Sequence, residues 1–485
     1  MKRRLLLGAL GAVCLSAAAA RAAQEPSRPI DVLVIGSGLA GLSAAVAAAE
    51  AGARDVVVLE KERFVGGHSA LANGYFAAER AQGRTPEQFH RAVEQMIADM
   101  NQTGKGRGDP ALVRILAEES GDAVDWLGNL GVAWMDETYE ALGGLRPRCY
   151  LSSFVRAGYD YVNAVNRRAR ELGVRIRFSS AAVSVTKTAG GLFEVQCANG
   201  AVLKSLLARS VVIASGGFGD NAPMRMLYDP RLTEEFTSTA NPYGESHNTA
   251  TGAGIRIGES LGGVTVDMNQ ILTIPYSGGR LTNYVGADIY VNAQGRRFVN
   301  EAAPMDEISR ALWALPERSF WVITDSQSAK GVTRDVKLIK GIVKTADTLS
   351  EAARGMGIRP SVLIETMRRY NEAARTKKDP EFGRTTFTQQ IEKPPFYYGL
   401  ERPFVHFCNG GLRISPNAEL LDRSGRAIAG VFAAGEVTGG VHGAGRLGGA
   451  SLSDCVVFGR RAGRSASRFV LALREAQTAE QSDQD

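Results

Sequence analysis

Cysteine is scarce in this chain, and its spacing matches no metal or haem motif. The 485 residues contain 5 cysteines and 5 histidines. No CxxC pair and no CxxCH sequence occurs, which excludes the usual zinc, iron–sulfur and c-type haem attachment motifs. Cys14 lacks a leucine three residues before it, so a lipid-attachment box is not expected there. No metal is predicted, and the other cysteines are predicted to be buried free thiols: Cys149, Cys197, Cys408 and Cys455.

An excess of one charge sign is also lacking once the N-terminus is set aside. The formal net charge is +6, but Lys2, Arg3, Arg4 and Arg21 lie in the first 22 residues. Removing these four positive charges lowers the net charge from +6 to +2. Such a balance gives no reason to expect nucleic acid or membrane binding. The composition is that of a soluble globular protein, and the length suggests two or three domains of about 100 to 200 residues each.

The apolar run near the N-terminus predicts export. Leu5 to Ala20 follows Lys2-Arg3-Arg4 and leads to an A-x-A-like cleavage site at Ala20-Arg21-Ala22, the pattern of a signal peptide over residues 1–22. The run is shorter than the roughly 20 residues of a transmembrane helix, so the mature chain is predicted to be periplasmic with no membrane span. The arginine pair and following leucines resemble a twin-arginine signal. No Ser or Thr precedes the pair, so the general secretory route stays open.

Glycine, in contrast, is abundant and clustered. Ile30 to Ile35 reads as a strand, Gly36-Ser37-Gly38-Leu39-Ala40-Gly41 follows it, and an alanine-rich helix leads to a second strand that ends at Glu60. This is the full context of a dinucleotide-binding turn. Gly36 would form the tight turn, Gly38 would admit the pyrophosphate, and Gly41 would let the helix pack on the strand. Glu60 is placed for ribose hydroxyls and disfavours a 2′-phosphate.

The fingerprint alone does not separate FAD from NAD, but three later segments favour FAD. Residues 61–74 contain the pair Gly66-Gly67, which suits an extended segment running towards a flavin ring. A buried strand, Ser210 to Ala214, and another, Val431 to Ala434, each run into glycine-rich turns, and such turns belong at one crevice. The predicted cofactor-binding residues are Gly36, Gly38, Leu39, Ala40, Gly41, Glu60, Lys61, Gly66, Gly67, His68, Ser69, Asn73, Gly74, Ala214, Gly216, Gly217, Gly435, Glu436, Gly449, Ser451 and Leu452.

Between these motifs the pattern predicts an α/β fold in two parts. Residues 85–131 read as helices broken at 104–108, and Asn199-Gly200 as the turn of a β-hairpin. From about residue 270 the character changes to short strands and three helices. The predicted architecture is a Rossmann-like FAD-binding domain (mixed βαβ with a β-hairpin insertion) over 29–268 and 390–472. An inserted α+β capping domain occupies 269–389, and a flexible tail 473–485.

Four segments together resemble one known family: IDVLVIGSGLAGLSAA, VVIASGGFG, GRRFVNE, and AAGEVTGGVHGAGRLGG followed by DCVVFGR. They resemble the flavoprotein part of the flavocytochrome c and soluble fumarate reductase family, within the succinate dehydrogenase–fumarate reductase superfamily. The resemblance implies an FAD domain with a mobile cap. It also implies non-covalent FAD, since no histidine stands in a recognisable flavin-linking motif.

The resemblance also implies a reaction. Reduced flavin gives hydride to an alkene conjugated to a carboxylate, arginines hold the carboxylate, and a further arginine donates the proton. Arg446 matches the carboxylate-binding arginine, and a guanidinium suits bidentate carboxylate binding. His442 nearby is either structural or faces the cofactor.

Three departures from the family surround the pocket. Met305 stands where the family has its proton-donating arginine, and a thioether cannot deliver a proton. The histidine expected after Gln270 is missing in ILTIP, and the second histidine of a His-His pair is Phe407 after His406. The chain is therefore expected to reduce a larger or less polar 2-enoate than fumarate, with Met305 and Phe407 forming the altered wall opposite Arg446.

Replacement acids or bases are sought after Gln270. The candidates are Tyr276, Tyr284, Arg280 and Arg296; a tyrosine would be similar to the related ketosteroid dehydrogenases. Two alternatives therefore stay open beside the enoate reductase: a dehydrogenase that desaturates a ketone or acid, and a flavin-binding electron-transfer protein. With no haem motif, a reductase would need a separate electron donor such as a cytochrome c.

Overall fold

The computed structural model describes residues 28–141, 143–153, 157–241, 249–278, 280–282, 286–303, 305–328 and 333–482. The predicted signal peptide, Tyr284 and the last three residues lie outside this range. The strands are β1 (Ile30–Ile35), β2 (Val56–Leu59), β3 (Phe76–Ala77), β4 (Cys149–Tyr150), β5 (Arg175–Arg177), β6 (Ala181–Lys187), β7 (Phe193–Asn199), β8 (Val202–Ile213), β9 (Thr265–Val266), β10 (Ile271–Ile274), β11 (Ile289–Val291), β12 (Phe320–Thr324), β13 (Val343–Ala346), β14 (Phe396–Glu401), β15 (Phe404–Cys408), β16 (Gly411–Arg413), β17 (Glu419–Leu421), β18 (Ala427–Ala433) and β19 (Thr438–Gly439). The helices are α1 (Leu39–Glu50), α2 (Gly67–Leu71), α3 (Pro86–Thr103), α4 (Pro110–Asn129), α5 (Ala157–Glu171), α6 (Ala222–Tyr228), α7 (Ala253–Ser260), α8 (Met305–Ala314), α9 (Thr333–Ile339), α10 (Leu349–Gly355), α11 (Pro360–Thr376) and α12 (Ala450–Ser482).

The main sheet has the order β17-β18-β8-β1-β2-β5, and the hairpin β6-β7 joins it through β8. β18, β8, β1, β2 and β5 run parallel. Their register is level at the carboxyl end, because Ile35 pairs with both Leu59 and Ile213, and Ile213 pairs with Ala433. The predicted mixed α/β fold with a β-hairpin insertion is confirmed.

Helices α1 and α12 cover this sheet by unusually close packing. α1 is rich in alanine and almost wholly buried. A Cβ at Gly459 or Gly463 of α12 would collide with the carbonyl oxygens of Ala40 and Ala44 in α1. Small residues on both helices therefore allow the two backbones to approach each other, and this fixes the start of α1 relative to the start of α12.

Several predicted local structures are confirmed. The pattern over 85–131 becomes α3 and α4, with a capping box at Thr85 and with Asp109 as the N-cap of α4. Asn199 pairs with Val202 across the predicted hairpin turn. Both outcomes follow from local chemistry, since caps and tight turns are set by side chains within a few residues.

The inserted domain has its own sheet and core. Its antiparallel strands lie in the order β11-β12-β14-β13, and its core includes Ile289, Leu363, Met367 and Tyr370. The predicted boundary at residue 389 is wrong, because β14 lies beyond it and pairs with both β12 and β13. An antiparallel ladder between β10 and β15 connects the insertion to the rest of the chain.

Three further expectations need correction. The insertion contains α8, α9, α10 and α11 rather than three helices. Residues 61–74 are not fully extended, since α2 forms one short helix there. The predicted flexible tail from 473 is helical up to Ser482, and Arg474 anchors it by bonding Asp31 Oδ1 at 2.6 Å. The polar composition of that tail reflects an exposed helix face.

The thiol prediction holds for most of the cysteines. Cys149, Cys197 and Cys408 are free and buried, whereas Cys455 is free and half-buried. Within the described ranges, no His, Cys, Asp and Glu side chains are grouped so as to hold a metal ion. No helix of the described part is long and apolar enough to cross a membrane.

Candidate active site

The level carboxyl ends of the parallel strands bring the predicted glycine turns together. Gly36 follows β1, Glu60 follows β2, and residues 214–217 and 434–436 follow β8 and β18. Gly36 has φ +103°, and a Cβ there would lie 2.5 Å from the Ala214 carbonyl oxygen. The tight turn predicted at Gly36 therefore presses directly against the neighbouring turn, which forms the crevice edge expected for a dinucleotide.

The start of α1 is arranged to receive an anion. Its N-cap is Gly38, with no side-chain cap, and a Cβ on Gly38 would meet nothing closer than 3.9 Å. There is therefore space beside Gly38, at the helix end whose backbone N–H groups favour an anion. At Gly41 an added Cβ would collide with the Gly36 carbonyl oxygen, which confirms the packing role predicted for this glycine.

Glu60 is buried, and hydrogen bonds from neighbouring residues fill part of the acceptor capacity of its carboxylate. Its Oε2 accepts from Ser37 N at 3.0 Å and Ser37 Oγ at 2.5 Å, and its Oε1 accepts from Glu62 N at 2.9 Å. A carboxylate offers about four acceptor positions, so Oε1 keeps capacity for a ribose hydroxyl. The adjacent Lys61 has a lowered pKa, because its burial outweighs the nearby carboxylates.

Residues 61–74, the second predicted cofactor segment, line the same crevice only in part. Ser69 Oγ accepts from Leu39 N at 3.4 Å, and an added Cβ at Gly67 would meet nothing within 4 Å. Gly74 instead packs against Ala157 of α5, where a Cβ would collide, so packing alone accounts for glycine there. Gly66 has φ +119°, and Asn73 is exposed.

The third segment is the turn between β18 and α12. Gly435 has φ +76°, and a Cβ there would lie 2.7 Å from Ala40. A Cβ at Gly217 would lie 2.7 Å from Glu436 Oε1. Gly216 has φ +79°, and an added Cβ there would meet nothing within 4 Å. Gly449 has φ +82° and abuts Cys149, while Ser451 and Leu452 lie in the first turn of α12.

Buried polar atoms without partners indicate that this crevice fits a polar cofactor or substrate. Asn409 Oδ1, His442 Nδ1 and Arg446 Nε are buried, and no hydrogen-bond partner lies near them in the described part of the chain. Buried polar atoms are normally satisfied. Together with the open glycines, they match an extended ligand that brings its own hydrogen-bonding groups.

Arg446 is the cation of the site, and its guanidinium lacks an acidic partner. Nη1 donates to Leu447 O at 2.9 Å, Nη2 donates to His406 Nε2 at 3.1 Å, and the guanidinium carbon lies 5.2 Å from the Phe407 ring centroid. Within the residues described, it forms no ion pair with a carboxylate. Burial lowers the pKa of Arg446 to about 10, although Glu436 and Asp454 raise it in part. A half-buried cation with a buried, unpartnered Nε favours an anionic ligand.

Three neighbours connect Arg446 to Glu436. His406 Nδ1 lies 3.0 Å from Thr239 Oγ1, and Thr239 Oγ1 lies 2.9 Å from His68 Nε2. His68 Nδ1 lies 3.4 Å from Glu436 Oε2, and Glu436 Oε1 accepts from Cys408 N at 3.0 Å. Burial, together with the charges of Arg446 and His68, lowers the pKa of His406 well below its ordinary value, so His406 is a neutral acceptor for Arg446.

His442 and Phe407 are placed by the structure on the Arg446 side of the site. His442 Nε2 lies 3.3 Å from Asp454 Oδ2, and its ring packs edge-on against Phe407 at 5.4 Å. His442 thus has a structural partner. Phe407 was expected on the wall opposite Arg446, together with Met305; instead its ring lies against the guanidinium itself.

The candidate acids of the inserted domain have other partners. Arg280 Nε donates to Asp288 Oδ2 at 2.9 Å, and its guanidinium stacks 4.7 Å from the Tyr276 ring. Tyr276 OH lies 3.1 Å from Tyr290 OH. Among the described residues neither contacts Arg446, so the structure places both, half-buried, in a separate cluster of the insertion. Arg296 is exposed on a turn, and Tyr284 lies outside the described residues.

Sequence reasoning missed two residues at the centre of the site. His406 was noticed only as a retained histidine, and Thr239 carries no motif. Thr239 is placed by backbone pairing with Val405, since its N–H donates to Val405 O at 2.8 Å. The contact joins residues far apart in sequence, so no local signal could have revealed it.

Comparison with known proteins agrees with this geometry. Residues 31–452 match the FAD binding domain family. The fumarate reductase (cytochrome) of Shewanella frigidimarina is 33% identical, over 92% of this chain and 78% of the relative. The acrylate reductase flavoprotein subunit of Shewanella woodyi is 31% identical, over 94% of this chain and 96% of the relative.

A solved structure extends the likeness to the fold. The open conformation of a flavocytochrome c3 fumarate reductase superposes with a TM-score of 0.78 and 32% identity, covering 92% of this chain and 79% of that chain. FAD is therefore the cofactor of this chain, and its chemistry is FAD-dependent oxidoreduction at carbon–carbon bonds.

Proposed function

We propose that this chain, which belongs to the FAD-binding domain family together with the fumarate reductase flavoproteins, reduces the activated C=C bond of a 2-enoate less polar than fumarate. The single observation that carries the proposal is Arg446. Arg446 is half-buried beside the cofactor turns, its buried Nε has no partner in the described part of the chain, and its neighbours are a neutral histidine and a phenylalanine. A substrate carboxylate would supply the missing anion.

Each group at Arg446 has a part in this reaction. Bound FAD, once reduced by the electron donor, would supply the hydride, and solvent would supply the proton that the second alkene carbon takes up. Arg446 would bind the carboxylate through Nε and the free N–H of Nη2, because a planar guanidinium presents paired donors that match two oxygens. Its positive charge would also stabilise the negative charge that develops on the carboxylate as hydride adds to the conjugated bond. His406 accepts from Nη2 at 3.1 Å, which leaves the second N–H of that nitrogen for the substrate.

One apolar neighbour of Arg446 and one residue replacement in the sequence support a less polar substrate than a dicarboxylate. Phe407 covers one face of the guanidinium, and Met305 begins α8 where the resemblance places an arginine. The substitution Met305→Arg tests this point. We expect it to raise fumarate reduction; fumarate turnover that stays at background would show that Met305 alone does not set the substrate preference.

The direct test follows the flavin spectrum without oxygen. Photoreduced holoenzyme is mixed with crotonate, cinnamate, acrylate or fumarate, and flavin reoxidation is recorded. We expect rapid reoxidation by at least one of the first three and slow reoxidation by fumarate. The Arg446→Lys protein, loaded with FAD, is the matched control and should reoxidise much more slowly. If none of the enoates changes the rate, the proposal fails and an electron-transfer role gains support.

A dehydrogenase is the second candidate, and the paired hydroxyls of Tyr276 and Tyr290 favour it. A tyrosine hydroxyl can act as an acid or base for chemistry next to a ketone. In this case the oxidised protein should bleach when a saturated ketone or acid is added. Burial raises the pKa of Tyr276, which disfavours the tyrosinate and makes this the weaker candidate.

Non-covalent binding of FAD is also part of the proposal. His68 is the histidine of the second cofactor segment, and both its ring nitrogens have partners within the chain, Glu436 Oε2 at 3.4 Å and Thr239 Oγ1 at 2.9 Å. We expect acid precipitation to release all flavin into the supernatant. Flavin that stays in the pellet, and is released when His68 is changed to Ala, would show a covalent link instead.

Export and a separate electron donor complete the proposal. The N-terminal segment has the features of a signal peptide, and the sequence offers no haem-binding motif. The relative from Shewanella woodyi is itself described as a flavoprotein subunit, which fits electron delivery by a cytochrome c. Fractionation of cells should find the processed chain in the periplasm, and a variant with Arg3-Arg4 changed to Lys-Lys should stay inside if the twin-arginine route is used.

A further inference from the structure

A continuous line of hydrogen bonds runs from Arg446 to Glu436. Its contacts are Arg446 Nη2 to His406 Nε2 at 3.1 Å, His406 Nδ1 to Thr239 Oγ1 at 3.0 Å, Thr239 Oγ1 to His68 Nε2 at 2.9 Å, and His68 Nδ1 to Glu436 Oε2 at 3.4 Å. The members come from distant parts of the sequence, and the resemblance to known families assigned no role to Thr239. We refer to these five residues as the Arg446–Glu436 chain.

The two ends of the chain fix the direction of its hydrogen bonds. A guanidinium has only donors, and an ionised carboxylate has only acceptors. His406 Nε2 must therefore accept from Arg446, so the proton of the neutral His406 ring is on Nδ1 and is donated to Thr239 Oγ1. At the other end, His68 Nδ1 must donate to Glu436.

Thr239 links the two imidazoles through a single hydroxyl. The hydroxyl accepts from His406 Nδ1, and its one hydrogen has two acceptors within reach, His68 Nε2 at 2.9 Å and His406 O at 3.1 Å. If His68 is neutral, the hydrogen goes to His68 Nε2. If His68 carries a second proton, the hydroxyl turns to His406 O. Either arrangement leaves the His406 lone pair directed at Arg446.

We propose that Thr239 and His68 are positioning residues, which fix the tautomer of His406 and through it the orientation of the Arg446 guanidinium towards the substrate carboxylate. The inference rests on the proposed function, since it takes Arg446 as the carboxylate anchor. Without the chain, a neutral His406 could place its proton on Nε2, and two donors would then face each other. Arg446 would retain only Leu447 O and the face of Phe407 as neighbours.

The backbone around Thr239 supports a positioning role. Its N–H donates to Val405 O at 2.8 Å, and Val405 N donates to Thr237 O at 3.0 Å. The hydroxyl is thereby held beside β15, the strand that carries His406. Cys408 N, on the same strand, donates to Glu436 Oε1 at 3.0 Å. Both hydrogen-bond partners of His68, Thr239 and Glu436, are therefore held by the backbone of β15.

The first measurement is the tautomer itself, which does not depend on turnover. With 5 histidines in the chain, ¹⁵N labelling of histidine in the holoenzyme gives few signals, and His406→Gln and His68→Gln proteins assign two of them. We expect His406 in the neutral form with the proton on Nδ1. A wild-type His406 with its proton on Nε2 overturns the proposal.

The second measurement compares Thr239→Val with Thr239→Ser. Valine keeps the shape but removes the hydroxyl, whereas serine keeps it. Crotonate is titrated into oxidised holoenzyme, and its dissociation constant is read from the flavin absorbance. Loss of one buried hydrogen-bond partner corresponds to about tenfold weaker binding, which we expect for Thr239→Val together with a changed His406 signal. Thr239→Ser should stay close to wild type.

The outcomes separate this inference from the proposed function. Wild-type binding that is unchanged in Thr239→Val overturns the positioning role and leaves the reductase proposal standing. If the wild type binds neither crotonate nor cinnamate, both proposals fail. Should Thr239→Val fail to retain FAD, the His68→Gln protein makes the same comparison from the other side of the hydroxyl, and unchanged crotonate affinity there counts against the inference.

Discussion

The buried arginines of the inserted domain and Arg446 of the cofactor turn have opposite surroundings. In the insertion, Arg297 donates to Glu301 and Asp379 at 2.7 and 2.8 Å, and Arg384 donates to Glu301 at 2.8 Å. Arg280 is similarly paired with Asp288. Arg446 has a histidine and a carbonyl as acceptors instead. The insertion therefore neutralises its buried cations internally, whereas the cofactor turn leaves one for a ligand.

This difference separates arginines that stabilise the fold from an arginine that binds a ligand, two roles that the sequence does not distinguish. A paired buried arginine is costly to disturb, because removal of one partner leaves an uncompensated charge. An arginine without a carboxylate partner has a desolvation penalty that is not compensated in the free protein. The binding of an anion offsets that penalty. The pKa values agree: burial lowers the pKa of Arg446 to about 10, whereas the carboxylates raise that of Arg297 above its ordinary value.

The largest effect is expected from Arg446→Lys. A lysine keeps the charge but loses the planar pair of donors, and loss of a transition-state donor costs about 100- to 1000-fold in rate. We expect such a fall in kcat/KM for the best enoate, with FAD content and melting temperature close to wild type. A loss of less than about tenfold would contradict the assignment of Arg446 as the substrate anchor, because it would fall short of what one such donor contributes.

The opposite pattern is expected for Glu301→Gln in the insertion. The change leaves the positive charges of Arg297 and Arg384 without their shared carboxylate, and breaking a buried pair costs about 3 to 5 kcal/mol. The melting temperature should fall clearly, while the protein that remains folded should bind crotonate as the wild type does. Equal stability of the two proteins would show that the arginines of the insertion are not held by this network.

The third prediction concerns pH and Glu401, a buried carboxyl of the insertion. Glu401 accepts from Ser277 Oγ at 3.0 Å and from Arg280 N at 2.7 Å, and burial raises its pKa from 4.5 to about 7. The folded protein thus prefers the protonated form. The contribution of Glu401 to the free energy of unfolding is therefore fully present below about pH 4.5. It is lost as the pH rises to about 7, and the loss amounts to roughly 3 kcal/mol.

Glu401→Gln tests that prediction, because a neutral amide does not titrate. The melting temperature of the wild type should decline between pH 5 and pH 7.5 more steeply than that of the variant. Parallel curves would show that Glu401 is not a source of the pH dependence.

The smallest effect is expected at Phe407. Its ring lies 5.2 Å from the guanidinium carbon of Arg446, and a cation–π contact contributes about 1 kcal/mol. Phe407→Leu should weaken crotonate binding about fivefold, corresponding to that energy, whereas Phe407→Tyr should retain the contact. If both variants bind crotonate equally well, the ring acts only as an apolar wall.

The glycine turns and Arg446 could be predicted because their chemistry is local. The turn at Gly36, the packing at Gly41 and the acid at Glu60 are set by strand–turn–helix geometry within one βαβ unit. The domain boundary at 389 could not be predicted, because β14 is assigned to the insertion only by its pairing with β12 and β13. Tyr276 and Arg280 were plausible acids until their partners Tyr290 and Asp288 were placed beside them.

The sequence by itself determined the cofactor class, the strand–turn–helix unit that begins the fold and the single arginine in the glycine-rich turn, since each depends on residues close together in the chain. Only the tertiary structure decided which polar side chains share a hydrogen bond. Thr239, His68, His406 and Glu436 lie on four separate segments, and they meet because parallel strands end level with one another and β15 returns beside them. Such long-range contacts leave no periodicity or spacing in the sequence, so the support of Arg446 became visible only in the folded chain.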